Sequence, residues 1–315
     1  MSNPLLSPMG ASDFICRIAD KADLQPALRW ILGQPDQPAS DAQVLDFLRM
    51  AFRRGIDPAS LWIATHNGQL IWPILPVTSP GRTMLLFVPA DYRDSMQAQA
   101  ARVLSEKVLA YYSSRDIQLA QLLLEPSDHR IIDLYASFGF KRLSELIYLQ
   151  GTPRRNCAYP PLPAGFELRT YDSHTHDLFA AAIQQSYSES LDCPTLSSMR
   201  GIDDVFASHK AAGEFDPEKW FVMLEKGVPL GVVLVAPLPS HQTMELVYLG
   251  LIPQARHRGL GDLLFRQALA ITAHSPHMQL HFAVDSFNRP ALKLYYRYGM
   301  QRIGSKIAML RDLRK

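Results

Sequence analysis

The sequence predicts an α/β chain built from two copies of one strand-and-helix unit, and three observations carry that prediction. Trp62-Ile63-Ala64-Thr65, a turn at Asn67-Gly68 and an apolar run to Val77 have a counterpart in Trp220-Phe221-Val222-Met223, Lys226-Gly227 and a run to Ala236. Leu85-Leu86-Phe87-Val88 stops at Pro89, as Val247 to Ile252 stops at Pro253, and a long helical pattern follows each. Leu134-Tyr135 with Gly139 mirrors Leu294-Tyr295 with Gly299. Landmarks repeated in one order indicate duplication.

Each element has a local reason. An apolar run broken by Asn-Gly or Lys-Gly reads as two strands joined by a tight turn. A short apolar run ended by proline reads as a buried strand, because proline cannot donate to a ladder. Leu260, Leu263, Leu264, Ala268 and Ile271 share one face of a helix. Pro153, Pro160, Pro161 and Pro163 lie between Gly151 and Gly165, a composition that resists helix and sheet interiors and suits a connection. The expected division is therefore a unit over residues 1–152, a linker over 153–164 and a second unit over 165–315.

The 315 residues are 47% hydrophobic and 20% charged, enough for two cores. Lys plus Arg is 32 against 30 for Asp plus Glu, a net charge of +2. That balance supplies no field to gather nucleic acid, so none is expected as a partner. Cys16, Cys157 and Cys193 are too scattered for a metal pair or a disulfide framework. No metal is expected. Met1–Gly10 lacks the pattern of a secretory leader and no run is long enough to span a bilayer. A cytoplasmic setting with no membrane partner is the expectation.

The chemistry is most legible at Arg256-His257-Arg258-Gly259-Leu260-Gly261, where a strand gives way to a helix. The first amides of a helix lack internal partners and the dipole adds partial positive charge, which suits an anion. Glycine lets a phosphate approach the backbone, and Arg256 and Arg258 offer charge-assisted hydrogen bonds. A dinucleotide-binding turn would need a third glycine where Leu264 stands.

Arg256-x-x-Gly259-x-Gly261 resembles the acetyl-CoA signature of the GNAT acetyltransferase superfamily, Arg/Gln-x-x-Gly-x-Gly/Ala. Asn288 to Tyr295, followed by Gly299-Met300, is similar to its second motif, Asn-x-x-Ala-x-x-Leu-Tyr then Gly-Phe, with Met300 departing from Phe. The resemblance implies two tandem GNAT-like domains. Each would have a mixed, mostly antiparallel central sheet with a splayed parallel strand pair, flanked by helices. It also implies transfer of an acyl group, acetyl in the usual case, from acyl-CoA to a primary amine by direct attack. Acetyl-CoA would be the cosubstrate, and the acceptor a small-molecule or peptide amine.

The same resemblance implies a site. Amides near Leu251 and Ile252 would grip the pantetheine and polarise the thioester carbonyl. Those around Arg256, His257, Arg258, Gly259, Leu260 and Gly261 would hold the pyrophosphate. Tyr295 would protonate the leaving thiolate and Glu245 would serve as base through water. On a regular strand Glu245 shares a face with Val247 and Leu249, a setting that raises a carboxylate pKa. Asn288 would orient the cofactor amide. Core packing for Tyr295, a solvated strand end for Glu245 and helix capping by Asn288 stay open. Acceptor specificity in this superfamily comes from the first two helices, here about 173–212, where Tyr187, Glu189, Asp192 and Cys193 are candidates beside a plain solvated loop.

In the first copy Tyr92, Ser95 and Gln97 stand opposite Arg256, Gly259 and Gly261, and Asp128 opposite Asn288. That half reads as degenerate, without normal CoA binding, and packed as an internal pseudo-dimer. Monomer and homodimer both remain open. The alternatives to an N-acyltransferase are a non-catalytic acyl-CoA-binding or interaction module with the same fold, and transfer of a bulkier acyl group.

Overall fold

The computed structural model describes residues 13–34, 36–194 and 196–314. The chain forms two compact units, and their limits differ from the expected cut at 153–164. One unit runs through Arg142 and takes in the chain again from Ile307, whereas the other is Leu143–Lys306.

The first unit holds β1 (Ile15–Ile18), α1 (Lys21–Ile31), α2 (Asp41–Arg53), β2 (Trp62–His66), β3 (Gln69–Ser79), β4 (Thr83–Phe87), α3 (Ser95–Ser113), β5 (Leu119–Leu124) and α4 (His129–Ser137). The second holds most of β6 (Lys141–Gly151), then β7 (Phe166–Thr170), α5 (His176–Ser186), α6 (Ile202–Ala211), β8 (Trp220–Glu225), β9 (Val228–Leu238), β10 (Thr243–Leu251), α7 (Leu260–Ala273), β11 (Leu280–Asp285) and α8 (Arg289–Arg297). The last strand, β12 (Gln301–Asp312), begins in the second unit and ends in the first. No helix among the described residues is long and apolar enough to cross a membrane.

Strand order in the first unit is β1-β2-β3-β4-β5-β12, with β4 and β5 parallel and the β1–β2, β2–β3, β3–β4 and β5–β12 ladders antiparallel. In the second it is β6-β11-β10-β9-β8-β7, with β10 and β11 parallel. Both hairpin turns form as the sequence predicts. Asn67 (φ 49°) with Gly68 (φ 75°), and Lys226 (φ 51°) with Gly227 (φ 82°), take the double left-handed conformation whose twist matches the flanking strands.

The sheet of each unit buries both faces. In the first, Leu104, Val108, Ile131 and Tyr135 from α3 and α4 cover one face, and Leu28, Ile31 and Phe47 from α1 and α2 cover the other. In the second, Leu264, Phe265, Ala268 and Tyr295 from α7 and α8 face one side, and Phe179, Ile183, Val205 and Phe206 from α5 and α6 the other.

The shifted unit limits have a physical reason. The final strand of each sequence half completes the other unit's sheet: Leu146–Gly151 of β6 pairs with β11, and Ile307–Asp312 of β12 pairs with β5. Ile307, Met309 and Leu310 are at most 5% exposed, and each such burial contributes roughly 1.5–3 kcal/mol against a domain stability of about 5–15 kcal/mol. Truncation after Lys306 is therefore expected to abolish the cooperative thermal transition of the first unit and open residues 13–142 to protease. An unchanged transition with intact protection would refute this role for the strand.

Candidate functional site

The parallel partners β10 and β11 are in register only at Met244↔Leu280 and Glu245↔His281. Beyond Glu245 the ladder ends while both strands continue. On its other side β10 stays paired with β9 to its last residue, through a register shift between Leu246 and Tyr248. This bulge changes which side chains share a face. Leu246, Leu249 and Leu251 pack with the α7 and α8 cluster, whereas Val247 and Tyr248 pack with the α5 and α6 cluster. Alternation back from Leu246 puts Glu245 on the side of Val247 and Tyr248. The expectation that Glu245, Val247 and Leu249 share one face is thus corrected, because an extra residue in a strand reverses the alternation that follows it.

The Ile252 amide donates to the Leu230 carbonyl at 2.9 Å, so it is not the free donor expected there. Amides alternate in direction along a strand, so that of Leu251 points away from β9, to the side where β11 has parted. Gly250 has a steric role. A Cβ there would lie 2.7 Å from Tyr248 Cε1 and 2.8 Å from both Ser186 Oγ and Tyr248 Oη. The Tyr248 ring crosses the glycine, and its hydroxyl lies 2.8 Å from Ser186 Oγ.

After β10, Gly259 takes a left-handed conformation (φ 77°) as the residue before α7, and no side chain caps the helix. The first return bond is the Leu263 amide to the Gly259 carbonyl, 3.3 Å. The amides of Leu260, Gly261 and Asp262 precede it and are the orphan donors of a helix start. A Cβ on Gly261 would meet only Leu251 Cδ1, at 3.7 Å. Its glycine is not demanded by packing within the chain. His257 is exposed and also left-handed (φ 59°).

Neither arginine of the turn is placed as expected. Arg256 donates through Nε to the Leu251 carbonyl (3.2 Å), through Nη1 to Glu189 (3.0 Å) and through Nη2 to Ser186 (2.9 Å) and Ser188 (2.7 Å), all main-chain oxygens. A guanidinium against carbonyls at a helix C-terminus is a stabilising arrangement, and here it ties the end of α5 to the end of β10. Arg258 pairs with Glu225 at 2.8 Å. Asp262 is held by the Tyr298 hydroxyl at 2.8 Å and by Arg297. Asn288 caps α8, its side chain accepting from the Ala291 amide at 3.3 Å. That bond uses Oδ1 and leaves Nδ2 without a partner among the described residues.

Tyr295 is 6% exposed, its ring 4.8 Å from Phe265 and 4.6 Å from Phe282. Burial first, and the Asp192 charge second, push its phenol above the usual tyrosine range. The segment after α5 brings Asp192 to the end of β11. Asp192 Oδ1 accepts from the Asp285 amide at 2.9 Å, and Asp285 Oδ2 accepts from Cys193 at 3.1 Å. Asp285 Oδ1 takes the Phe287 amide at 2.9 Å. Asp192 is exposed as a residue, yet desolvation is the largest influence on its carboxyl and raises its pKa. Potential ligand atoms of Asp192, Cys193 and Asp285 lie within 4.8 Å of one another, and the main-chain amides they accept account for that grouping.

Tyr187 is half-buried, its ring 6.0 Å from Tyr248. Glu189, left-handed at φ 54°, contributes its carbonyl rather than its carboxylate. Sequence reasoning missed Tyr248, Arg200 and His209, which surround the same face. His209 lies 5.2 Å from Tyr248, ring to ring. Their only signal in sequence was a tyrosine inside an apolar strand and a histidine late in a helix, and neither spacing points to a site.

Residues 183–300 match the model of the acetyltransferase (GNAT) family. No curated protein matches the chain. By fold, the chain is similar to a GCN5-related N-acetyltransferase from Sphaerobacter thermophilus, at 16% identity and TM-score 0.62 over 96% of each chain. It is also similar to a tandem GNAT protein from the clavulanic acid biosynthesis pathway, at 15% identity and TM-score 0.52, covering 96% of this chain and 98% of that one. A putative acetyltransferase from Pyrococcus horikoshii aligns at 11% identity and TM-score 0.50, covering 99% and 92%. The chain has the tandem GNAT fold, and its segment 183–300 is matched by the GNAT acetyltransferase family.

Proposed function

We propose that the second unit transfers an acyl group, acetyl in the first instance, from acyl-CoA to a primary amine by direct attack. The observation that carries the reading is the uncapped start of α7 beside the parted strands β10 and β11. Three neighbouring amides without internal partners, fronted by a glycine with open space, fit a diphosphate. Acyl-CoA supplies the thioester carbonyl and the thiolate that leaves.

The chain's own groups then divide the work. Amides of Leu260, Gly261 and Asp262 hold the diphosphate. The Leu251 amide faces the parted side and polarises the carbonyl, and Ile252, already bonded, does not. Asn288 Nδ2 is a donor for a cofactor amide oxygen. Glu245 accepts a proton from the attacking amine through water, and Tyr295 Oη gives one to the departing sulfur, so the N–C bond forms as the C–S bond breaks. Among the described residues, the corresponding helix start of the first unit offers no comparable anion site. At its corresponding helix Asp94 accepts the Gln97 amide at 2.8 Å, and Gln97 Oε1 takes the Arg93 amide at 2.7 Å. A carboxylate of the chain already stands where a phosphate would.

Gly261→Glu separates the site from the fold. Glutamate has a higher helix propensity than glycine and its charge is favourable in a first turn. The expected result is unchanged or higher thermal stability with coenzyme A affinity reduced about 100-fold, read by calorimetry. Retained affinity in a folded variant would remove the diphosphate site.

Tyr295→Phe and Glu245→Gln are each expected to lower kcat about 10²- to 10⁴-fold with coenzyme A affinity unchanged. Normal turnover in both, measured by thiol release, would remove these two residue assignments, whereas coenzyme A binding without thiol release from any amine in the unaltered protein would leave a binding module in place of an enzyme.

Because burial raises the Tyr295 phenol, its donor form persists beyond the ordinary tyrosine pKa of about 10. The rate should show no descending limb from this group below about pH 10. A limb near pH 8 that vanishes in Tyr295→Phe would contradict the assignment.

A further inference from the structure

We propose that the acceptor amine carries a carboxylate, and that Arg200 and His209 form the subsite that receives it. This inference rests on the acyl-transfer reading and names the substrate class.

Arg200 precedes α6 and lies along its first turns. Its Nη2 donates to the Asp204 carbonyl at 2.7 Å and to Ser208 Oγ. These bonds fix the guanidinium plane and leave Nε buried without a partner among the described residues. Near it, on α6, His209 has a buried Nε2 that is also unpartnered among the described residues. Burial, and secondly the Arg200 charge, lower the His209 pKa to about 4, so the ring is neutral at pH 7 and can donate as its Nε2–H tautomer. Two neighbouring orphan groups, one cationic and one neutral, suit an oxygen anion.

The direction of the ligand follows from the tyrosines. Tyr187 feels Arg200, which lowers its pKa, and Asp192, which raises it, both after burial as the largest influence. The geometry agrees: the Tyr187 ring lies 6.0 Å from that of Tyr248, which in turn lies 5.2 Å from His209. Asp192 acts in turn on Tyr248 and Tyr295. The α5–α6 side of β10 accordingly has a cationic end at Arg200 and an anionic end at Asp192, close to the proposed proton donor. An amine facing Asp192 with its acid facing Arg200 matches both ends, as in a free amino acid or a peptide C-terminal residue of similar reach. A simple alkylamine would leave the Arg200 Nε–H without an acceptor, since the Asp204 charge acts on the guanidinium without bonding that atom.

The test compares acceptors identical except for carboxylate against carboxamide: glycine and glycinamide, glutamate and isoglutamine, phenylalanine and its amide, each with acetyl-CoA and thiol release as readout. The expected result is a preference for the acid of about 10- to 100-fold in kcat/KM. Arg200→Gln should erase that preference through KM for the acid, and Arg200→Lys should keep part of it. Coenzyme A affinity, measured on the same samples, should stay unchanged and reports folding. Equal use of acids and amides by the unaltered protein, or an intact preference in Arg200→Gln, overturns the proposal. If coenzyme A binds and neither kind of acceptor releases thiol, the acyl-transfer reading fails. The subsite is then decided by thermal shift with the amino acids themselves: stabilisation lost in Arg200→Gln supports it, and no stabilisation by any acid overturns it.

Discussion

A helix that starts without a side-chain cap leaves its first amides to find partners outside the helix, and in this chain that choice separates the two copies. At α7 the residue before the helix is Gly259, which has no side chain to offer. At α3 it is Asp94, whose carboxylate takes the Gln97 amide. One protein therefore holds the same structural position in two electrostatic states, one self-neutralised and one open to an external anion. The surrounding charges agree. Asp262 inside the first turn of α7 would repel a phosphate, but Arg297 and the Tyr298 hydroxyl hold it.

The second constraint is the bulge in β10. A regular strand would have placed Tyr248 in the α7 core and closed the ladder differently along its length. The extra residue puts Val247 and Tyr248 on one face together, so that face gains a hydroxyl above Gly250 while Leu249 and Leu251 return to the other core. Arg256 then fastens the end of α5 to the end of β10 by four bonds to carbonyl oxygens. Strand, helix end and following loop are positioned by main-chain atoms, which leaves the nearby side chains of Tyr187, Asp192 and Tyr248 to differ chemically without changing the frame.

Much of the fold was legible because it rests on local rules. The hairpins at Asn67-Gly68 and Lys226-Gly227, the strands ended by Pro89 and Pro253, and the helix opened by Gly259 depend on nearest neighbours. The unit limits were less so. A proline-rich stretch marks where a chain is extended, but not that β6 and β12 change sheets, since strand pairing is a long-range property with no period of its own. Arg256 shows the same limit at the site. Its place in a motif suggested a phosphate ligand, yet the carbonyls of Ser186, Ser188 and Glu189 lie about 70 residues away and claim it first. Arg200 and His209 left no pattern at all, because an orphan polar atom is defined by what fails to surround it.

Buried polar groups are the costliest part of such a face. Tyr187, Tyr248, Arg200 and His209 could all be replaced by apolar residues of similar volume without loss to packing, and buried charges seldom stabilise a fold in their own right. The apolar α7 and α8 core shows that the unit can build a dry layer where none of this is needed. Polar atoms without partners on one side of β10, facing a dry core on the other, divide the strand into a face that serves stability and a face held ready for a ligand. The division coincides with the end of pairing between β10 and β11, where a single residue such as Asp192 influences tyrosines on both sides of the sheet at once.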